Sequence, residues 1–446
     1  MSEWIEQPIR ELIEGQWPGE WGTEPDPSFS PALVYRSTDL DDSGHLQEDG
    51  GVYRSIPATK LNAKKLLAGD ILLEASGGSP DRPVGRVALF SGVRGEPAIC
   101  ANFLRTLRPK KGVCSSFLRW ALVNLQQQSA IWRFQQQTTG MINLKVSDYL
   151  NHQIETPSID EQRWIAEILS TVDETIEQTE ALIAKYQQIK AELMHDLFTR
   201  GVTPDGRLRP TRAQAPHLYK ESPLGWIPKE WKVSPAETLL ARIIDYRGRT
   251  PTKTVEGIPL VTAKNVRMGY IDPEPREFIA ESDYAFWMTR GIPNVGDVLF
   301  TTEAPLGNVA QIETTDRVAF AQRVIVLQPG PKVRSSFLKF VLMSDKTQRA
   351  IARLASGTTA LGIKQSEFRK VLLSHPSDTE EQELIEAKLE GVDGYLHGQQ
   401  RVISKLHQEK HGLMRDLLTG RVRVKVEEAT MAQRSTATKM GLTENS

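Results

Sequence analysis

The chain of 446 residues is poor in cysteine and nearly neutral. Its two cysteines, Cys100 and Cys114, are too few for a disulfide framework or a cysteine metal site, so we expect reduced thiols. The net charge of −1 gives no overall basic field, and contact with nucleic acid would therefore require local positive charge. No apolar run approaches the roughly 18–20 residues that cross a bilayer, and residues 1–6 do not resemble a signal peptide. We expect a cytoplasmic protein without membrane contact.

The sequence also lacks the motifs that catalysis or ATP use would require. There is no Gly-x-x-x-x-Gly-Lys-Ser/Thr phosphate loop and no Gly-x-Gly-x-x-Gly after a predicted strand. His407 and His411 have the spacing of a helical zinc site, but no third ligand is evident, and a solvated helix face is the better interpretation. We therefore predict a chain without catalytic residues, a metal or a cofactor of its own.

What the sequence does contain is a duplication. Residues 161–202 match residues 381–422 at 16 of 42 positions, at an offset of 220. The same offset aligns residues 115–118 with 335–338, and further upstream an offset of 227 aligns Glu3-Trp4 with Glu230-Trp231. Because the order never changes, the whole chain is a tandem repeat. Such a repeat is expected to present two similar surfaces about a pseudo-twofold axis, which suits a ligand with two similar halves.

Each repeat is predicted to end in one long helix, because apolar residues recur there in alternating steps of four and three over about 33 residues. The seam positions are Ile165, Leu169, Val172, Ile176, Ile183, Tyr186, Leu193 and Leu197 in the first helix, and Ile385, Leu389, Val392, Leu396, Ile403, Leu406, Leu413 and Leu417 in the second. Polar residues interrupt both seams at matching places, Thr179 and Lys190 against Gln399 and Lys410. This favours antiparallel pairing of the two helices with each other; the alternative is that each seam packs on its own globular domain.

A helix-capping pattern precedes each of the two long helices. A serine followed three residues later by glutamate, the capping-box pattern, occurs at Ser158 and at Ser377. The second helix has glycines at positions 391, 394 and 398, so we expect its early turns to bend or fray.

The other half of each repeat shows short β-rich runs between glycine and proline turns, with one amphipathic helix near residues 115–136 and near 335–355. The predicted fold class is α/β (α+β), with two globular domains that have curved sheets, two long antiparallel coiled-coil helices and an internal tandem repeat. The predicted boundaries are 1–157 for the first globular domain, 158–199 for the first long helix, 200–228 for a linker, 229–376 for the second globular domain, 377–419 for the second long helix and 420–446 for a disordered tail.

Polar loop residues recur at aligned places in the globular domains. A threonine pair beside a glycine, at residues 138–140 and 357–359, follows the amphipathic helix and leads to Lys145 in one repeat and Lys364 in the other. Small hydroxyls, glycine and lysine suit a backbone that approaches phosphates, although an ordinary helix-ending turn has the same composition. Other loop tips differ between the repeats, as two modules that read different sequences would require.

Taken together, these features resemble the specificity (S) subunit of type I restriction–modification enzymes. The resemblance covers the chain to about residue 425. It is carried by Gly-Asp-Val-Leu-Phe-Thr-Thr-Glu-Ala-Pro-Leu-Gly-Asn-Val-Ala at residues 296–310, by the helix ends at 193–199 and 413–419, and by Tyr-Lys-Glu-Ser-Pro-Leu-Gly-Trp-Ile-Pro at 219–228. The first domain departs most from the family pattern, at residues 70–77.

The resemblance implies that residues 1–157 and 229–376 are target-recognition domains, each reading half of a bipartite site in double-stranded DNA. The long helices would set the spacer and dock two methyltransferase subunits, with motor-nuclease restriction subunits added to the complex. S-adenosylmethionine, ATP and Mg²⁺ would belong to those partners, and this chain would be a non-catalytic subunit. A helix of about 57 Å exceeds the distance of about 34 Å between half-sites one DNA turn apart. The alternative is a coiled-coil adaptor that binds proteins and not DNA.

Candidate DNA contacts follow from residue type and loop position, since Arg and Lys suit guanine or phosphate, and Asn and Gln suit adenine. In the first domain they are Arg36, Ser37, Arg86, Arg105, Thr139 and Lys145. In the second domain they are Lys264, Asn265, Arg267, Asn308, Gln322, Arg323, Thr359 and Lys364.

Overall fold

The computed structural model describes residues 4–26, 31–47, 49–79, 81–92, 97–138, 140–246, 250–357 and 361–424. The chain divides into a first unit, Met1–Glu180 with Arg401–Ser446, and a second unit, Ala181–Gln400. This division differs from the predicted linear domains, because each long helix contributes its first half to one unit and its second half to the other.

The first repeat contains short strands, four short helices and one long helix in its described part. The strands are β1 (Ile5–Pro8), β2 (Ile13–Pro18), β3 (Pro31–Tyr35), β4 (Val52–Ser55), β5 (Ile71–Glu74), β6 (Ser76–Gly78), β7 (Val87–Leu89), β8 (Ala98–Cys100), β9 (Leu104–Pro109), β10 (Gln135–Thr138), β11 (Met141–Leu144) and β12 (Gln153–Thr156). The helices are α1 (Ile9–Leu12), α2 (Ala58–Lys64), α3 (Ser115–Gln127), α4 (Val146–Leu150) and the long α5 (Ile159–Arg200).

The second repeat follows with the same kinds of element. The strands are β13 (Tyr219–Ser222), β14 (Gly225–Pro228), β15 (Lys232–Pro235), β16 (Leu240–Asp245), β17 (Ile258–Val261), β18 (Phe278–Ile279), β19 (Val298–Thr301), β20 (Val309–Gln311), β21 (Ala319–Phe320), β22 (Val324–Pro329) and β23 (Leu372–His375). The helices are α6 (Ala236–Leu239), α7 (Glu281–Trp287), α8 (Ser335–Met343), α9 (Asp345–Leu354), α10 (Gln365–Phe368) and the long α11 (Thr379–Leu417). The helix predicted near 335–355 is thus divided at Ser344.

The two globular domains share two sheets of the same strand order, and the first domain has in addition an antiparallel sheet in the order β10-β11-β6. An antiparallel sheet in the order β2-β9-β5-β7 corresponds to β16-β22-β19-β20, and a mixed sheet in the order β4-β3-β8 corresponds to β18-β17-β21. Each mixed sheet contains one parallel pair, β3 with β8 and β17 with β21. An antiparallel ribbon, β1 with β12 or β15 with β23, joins the beginning and the end of each domain. The predicted α/β fold with an internal repeat is therefore confirmed.

The middle of each antiparallel sheet is buried on both faces. On β5, Ile71 and Leu73 face the cluster that includes the long-helix residues, whereas Leu72 faces a second cluster against the mixed sheet. All three side chains are fully buried. A strand covered on both faces needs a continuous apolar run and not an alternating one, which explains the sequence Ile-Leu-Leu here and Val-Leu-Phe on β19.

In the first unit, the start of α5 packs beside the end of α11. Glu161 accepts hydrogen bonds from Trp4 Nε1 (3.2 Å) and from Arg423 Nε and Nη2 (both 2.8 Å). Further along, Lys410 on α11 forms an ion pair with Asp173 on α5, and both side chains are buried. Rising positions on α5 meet falling positions on α11, so the two helices run antiparallel in this unit.

In the second unit, the two helices exchange these roles. Glu381, near the start of α11, accepts hydrogen bonds from Trp231 Nε1 (3.0 Å) and Arg209 Nη2 (2.9 Å). Lys190 Nζ on α5 lies 2.5 Å from Asp393 Oδ1 on α11. The lysines that interrupt the predicted seams are therefore each paired with an aspartate of the opposite helix.

Every predicted seam position is buried or half-buried. In the second unit the rings of Tyr186 and Tyr395 lie 4.3 Å apart between centroids. The seam ends also belong to the globular cores, Ile165 and Leu417 to the first and Ile385 to the second. The helices thus contact each other. Each helix starts against the globular domain of its own repeat and ends against the domain of the other repeat, so the alternative that each seam packs on its own domain holds only at the helix starts.

The helix starts and the second helix differ from the prediction in detail. Ser158 Oγ accepts the N–H of Glu161 (3.4 Å), but in the second helix Asp378 takes this role in place of Ser377, accepting the N–H of Glu380 (2.9 Å). Helix α11 is continuous over Thr379–Leu417, so the predicted fraying at its glycines is not observed.

Residues 200–228, predicted to be a linker, belong to the second unit and form defined structure. They include a 3₁₀ turn, Pro216–Leu218, and the hairpin β13–β14, with Tyr219 and Ile227 buried. Of the predicted tail, residues 425–446 lie outside the described residues, whereas the N–H of Val424 donates to Glu161 Oε1 (3.3 Å). No helix in the described ranges combines the length and the hydropathy that a membrane span needs.

Candidate nucleic-acid interface

A turn of the same design follows the central strand of each mixed sheet. After β3, the N–H of Arg36 donates to Asp39 Oδ2 (2.7 Å), and the N–H of Asp39 donates back to the Arg36 carbonyl (3.0 Å). After β17, the N–H of Thr262 donates to Asn265 Oδ1 and the N–H of Asn265 to the Thr262 carbonyl (both 3.0 Å). Such a side-chain-to-backbone bond fixes a turn locally, so Arg36 and Thr262 occupy equivalent positions.

The prediction that Asn265 contacts DNA is therefore wrong. Its side chain is only 4% exposed. Its Nδ2 donates to the carbonyl oxygens of Asp272 (3.1 Å) and Pro275 (3.0 Å), so its hydrogen-bonding capacity is used inside the domain. Asn265, like its equivalent Asp39, shapes the turn.

Arg86 is also a structural residue and not an exposed base reader, which corrects a second prediction. It is 6% exposed and binds Glu74 through Nε (2.9 Å) and Nη2 (2.7 Å). Its Nη1 donates to the Leu40 carbonyl (2.7 Å), and its Nη2 donates to the Ser37 carbonyl (2.9 Å). Arg86 thereby holds the turn after β3 against the antiparallel sheet.

Asn308 holds the equivalent turn in the second domain. Its Nδ2 donates to the Val266 carbonyl (2.8 Å), and Val266 is the first residue after the turn, as Leu40 is in the first domain. The N–H of Thr301 donates to the Asn308 carbonyl (2.9 Å), just as the N–H of Glu74 donates to the Arg86 carbonyl (2.8 Å). Asn308 is half-buried, and its Nδ2 serves the turn, so its contact with DNA stays a prediction.

Each turn borders a cleft at the edge where the two parallel strands end. The first cleft, of about 410 Å³, is lined by Trp21, Arg36, Ser37, Thr38, Ala101, Asn102 and Phe103. The second cleft, of about 150 Å³, is lined by Thr250, Pro251, Lys253, Leu260, Thr262, Ala263, Lys264, Glu277, Ala304, Ala321, Gln322 and Arg323. Residues 36–38 and 101–103 of the first correspond to 262–264 and 321–323 of the second, because parallel strands leave a sheet at a common edge.

The backbone hydrogen bonds beside the two clefts are equivalent. The N–H of Ala101 donates to the Tyr35 carbonyl (2.8 Å), and the N–H of Ala321 donates to the Val261 carbonyl (2.9 Å). Although the scaffold matches, the side chains at the six shared positions differ at every place except these two alanines.

Charged groups around the clefts are mostly paired. Hydrogen bonds to Asp39 raise the pKa of Arg36, whose side chain remains 42% exposed. Burial alone would raise the pKa of Asp39, but the hydrogen bonds from Arg36 outweigh it and lower that pKa. In the second cleft Lys253 Nζ lies 2.7 Å from Glu277 Oε2, and Arg323 Nε lies 2.9 Å from Glu303 Oε1.

Five of the predicted contacts line the clefts: Arg36, Ser37, Lys264, Gln322 and Arg323. Four others lie elsewhere. Arg105 is half-buried and donates to Gln16 Oε1 (2.7 Å), and burial lowers its pKa. Arg267 is exposed and paired with Asp272 (3.2 Å). Lys145 and Lys364 occupy equivalent positions immediately before α4 and α10. Thr139 and Thr359 lie outside the described residues.

Five residues that line the first cleft were not predicted from the sequence: Trp21, Thr38, Ala101, Asn102 and Phe103. The repeat indicates two of them, because Asn102 and Phe103 align at an offset of 220 with the predicted contacts Gln322 and Arg323. Thr38 corresponds to Lys264 at an offset of 226, which differs from the offsets of 220 and 227 in the sequence. Only the equivalent turns of the structure show this correspondence.

One group in the described ranges has the composition of a metal site. The ligand atoms of Asp41, His45 and Glu177 lie within 4.8 Å of one another. The imidazole is already engaged, since His45 Nδ1 is 3.1 Å from Glu177 Oε1 and His45 Nε2 is 2.8 Å from Arg119 Nη1. These residues form an ion-pair and hydrogen-bond network.

Two equivalent clefts on a matched scaffold, with different side chains, define a protein with two recognition modules. A family model described as "Type I restriction modification DNA specificity domain" matches residues 46–188 and 266–404. The chain belongs to this family of type I restriction–modification specificity subunits.

Two relatives from Methanocaldococcus jannaschii agree with this assignment. The chain is 24% identical over 341 residues to the type I restriction enzyme MjaVIII specificity subunit, covering 74% of this chain and 76% of that one. It is 24% identical over 386 residues to the putative type I restriction enzyme MjaX specificity subunit, covering 84% and 83%.

A solved structure shares the fold. The S subunit of a type I restriction–modification system from M. genitalium superposes with a TM-score of 0.59 at 16% identity, covering 93% of this chain and 96% of that chain. None of these findings favours the adaptor alternative.

Proposed function

We propose that each globular domain binds one half of a bipartite site in double-stranded DNA through its cleft, and that the long helices set the interval between the halves. The observation that carries the proposal is the pair of equivalent clefts, whose scaffold is the same and whose side chains differ. Two binding surfaces of one design with different hydrogen-bonding groups suit two different base sequences, because bases are distinguished by donor and acceptor pattern.

The proposal extends to the partners. Two methyltransferase subunits bind this chain, and motor-nuclease restriction subunits join the complex in the cytoplasm. S-adenosylmethionine, ATP and Mg²⁺ act in those subunits, while this chain positions them on DNA and carries out no chemistry. The lack of nucleotide-binding motifs in the sequence supports this division of labour.

The test is DNA binding by the full chain, assembled with its methyltransferase partner, over a range of salt concentrations. Binding through phosphates weakens steeply with salt, and selection from randomised duplexes should return a split sequence. The proposal fails if the complex shows no preference for any split target, or if its affinity for DNA does not depend on salt.

A single substitution sharpens the test. Lys364 is exposed immediately before α10, and we expect Lys364→Ala to weaken binding to all sequences about equally. The slope of log affinity against log salt should fall by about 1, because one phosphate contact is lost. Lys145→Ala, at the equivalent position, should behave in the same way. Loss confined to one base position would instead make Lys364 a base reader.

A further inference from the structure

Asn102 and Gln322 hold the same place in the two modules. Each follows the alanine whose N–H bonds to the neighbouring parallel strand, and each lines its own cleft. Both are primary carboxamides, although the residues beside them, Phe103 and Arg323, have nothing in common chemically. Among the described shared positions that line both clefts, this is the one where different residues carry the same functional group.

These two amides are also available for a ligand. The exposed side chain of Asn102 makes no hydrogen bond to any described residue. Gln322 is half-exposed, and its Nε2 has one long contact, 3.4 Å to Thr250 Oγ1. The neighbouring guanidinium groups are held in ion pairs, Arg36 with Asp39 and Arg323 with Glu303. A ligand entering either cleft therefore meets an amide whose hydrogen bonds are largely unused.

A primary amide has a donor and an acceptor side by side. In the major groove, adenine presents its N7 acceptor beside its N6 donor, and Asn or Gln can bond both at once. Cytosine has only a donor at that edge, and guanine has only acceptors. Of the four bases, adenine is thus the one that an unpaired carboxamide matches completely.

We infer that Asn102 and Gln322 are specificity-determining residues, each of which reads one adenine in the half-site bound by its own module. This inference rests on the proposed function. It adds to the general proposal that a single residue in each module, Asn102 or Gln322, accounts for the preference for one adenine.

The experiment uses the full chain assembled with its methyltransferase partner. The bipartite site of the natural protein is first determined by selection from randomised duplexes and by sequencing of methylated sites. The same measurements are then made on Asn102→Ala and Gln322→Ala. Each variant should lose about tenfold or more of its preference for adenine at one position of one half-site. The other half-site should be unchanged, which also shows that the variant is folded.

Isosteric variants test the chemistry of recognition. Asn102→Asp and Gln322→Glu keep the shape of the side chain but remove the donor, and carboxylates accept from cytosine N4. The preferred base at the affected position should therefore move from adenine towards cytosine. Gln127→Ala, which removes an exposed carboxamide at the end of α3, is the matched control and should change neither half-site.

A modified base completes the design. Replacing the adenine that Asn102 reads with 7-deazaadenine removes the N7 acceptor, so binding by the natural protein should weaken by about the same factor as in Asn102→Ala. Combining the modified base with Asn102→Ala should add nothing, since both remove the same hydrogen bond.

The outcomes separate this inference from the proposed function. If the natural complex selects a split site but Asn102→Ala and Gln322→Ala leave it unchanged, or weaken all sequences equally, the inference is overturned and the proposed function stands. A selected half-site without adenine overturns it as well. If the natural complex selects no split site, the proposed function itself fails.

Discussion

At the scale of single residues, the two repeats hold equivalent turns with different side chains. The turn beside each cleft is held by a donor from the antiparallel sheet, Arg86 in one repeat and Asn308 in the other. The charged donor requires a buried partner, Glu74, whereas Thr301 stands at the equivalent place beside Asn308. The positions keep their structural role although their chemistry has changed.

We expect Arg86→Ala to reduce the free energy of unfolding by about 3–5 kcal/mol, because the buried carboxylate of Glu74 would lose its partner. Urea denaturation of the full chain, with hydrogen exchange of β5 and β7 to localise the effect, measures this loss. The double variant Glu74→Thr with Arg86→Asn introduces the pair of the second repeat and should recover most of the lost stability. Equal losses in the single and double variants would contradict this account.

At the scale of elements, two lysine–aspartate ion pairs, each with a buried aspartate, join the two long helices. Lys410 with Asp173 lies in the first unit, and Lys190 with Asp393 lies in the second. Each lysine that interrupts an apolar seam must face the aspartate of the opposite helix. A shift of one helix along the other would leave a buried charge without a partner. The pairs thus oppose sliding of one helix along the other.

We expect Lys190→Met to destabilise the second unit by about 3–5 kcal/mol, because Asp393 is buried and would lose its partner. The same substitution at the exposed Lys185 is the control and should change the stability by no more than about 0.5 kcal/mol. A double-mutant cycle with Asp393→Asn should show a coupling energy between Lys190 and Asp393. A coupling energy of zero would mean that the ion pair does not stabilise the helix contact.

At the scale of the whole molecule, the duplication and the long helices lead to a prediction about DNA spacing. Deleting residues 183–189 and 403–409 removes one heptad, about 10 Å at 1.5 Å per residue, from each helix. The deletions retain all four residues of the two lysine–aspartate pairs. We expect a preferred spacer shorter by about three base pairs, at about 3.4 Å per pair, with both half-sites unchanged.

Selection from randomised duplexes measures the spacer and the half-sites together. Deleting residues 183–189 alone is the control, since it shortens only one helix, mismatches the two seams and should abolish the preference for a split site. If the double deletion changed the half-site sequences and left the spacer as it was, the helices would not set the interval.

The sequence by itself determined the duplication, the two long helices and the family, because these features are written in periodic apolar positions and in motifs that repeat at fixed offsets. Residue type and loop position also located part of the clefts, such as Arg36 and Gln322. Those signals are local, and each can be read from neighbouring residues.

The tertiary structure alone decided which polar side chains remain available to a ligand. Arg86, Asn265 and Asn308 have the composition of base readers, but their hydrogen bonds go to carbonyl or carboxylate groups of their own domains. Asn102, which sequence reasoning passed over, lies in a cleft because β3 and β8 are parallel neighbours. The pairing of β3 with β8 joins residues more than sixty positions apart, and the carbonyl groups that Arg86 and Asn308 bind lie more than forty positions away in the chain. Buried polar groups need such partners, and neighbouring residues do not reveal them.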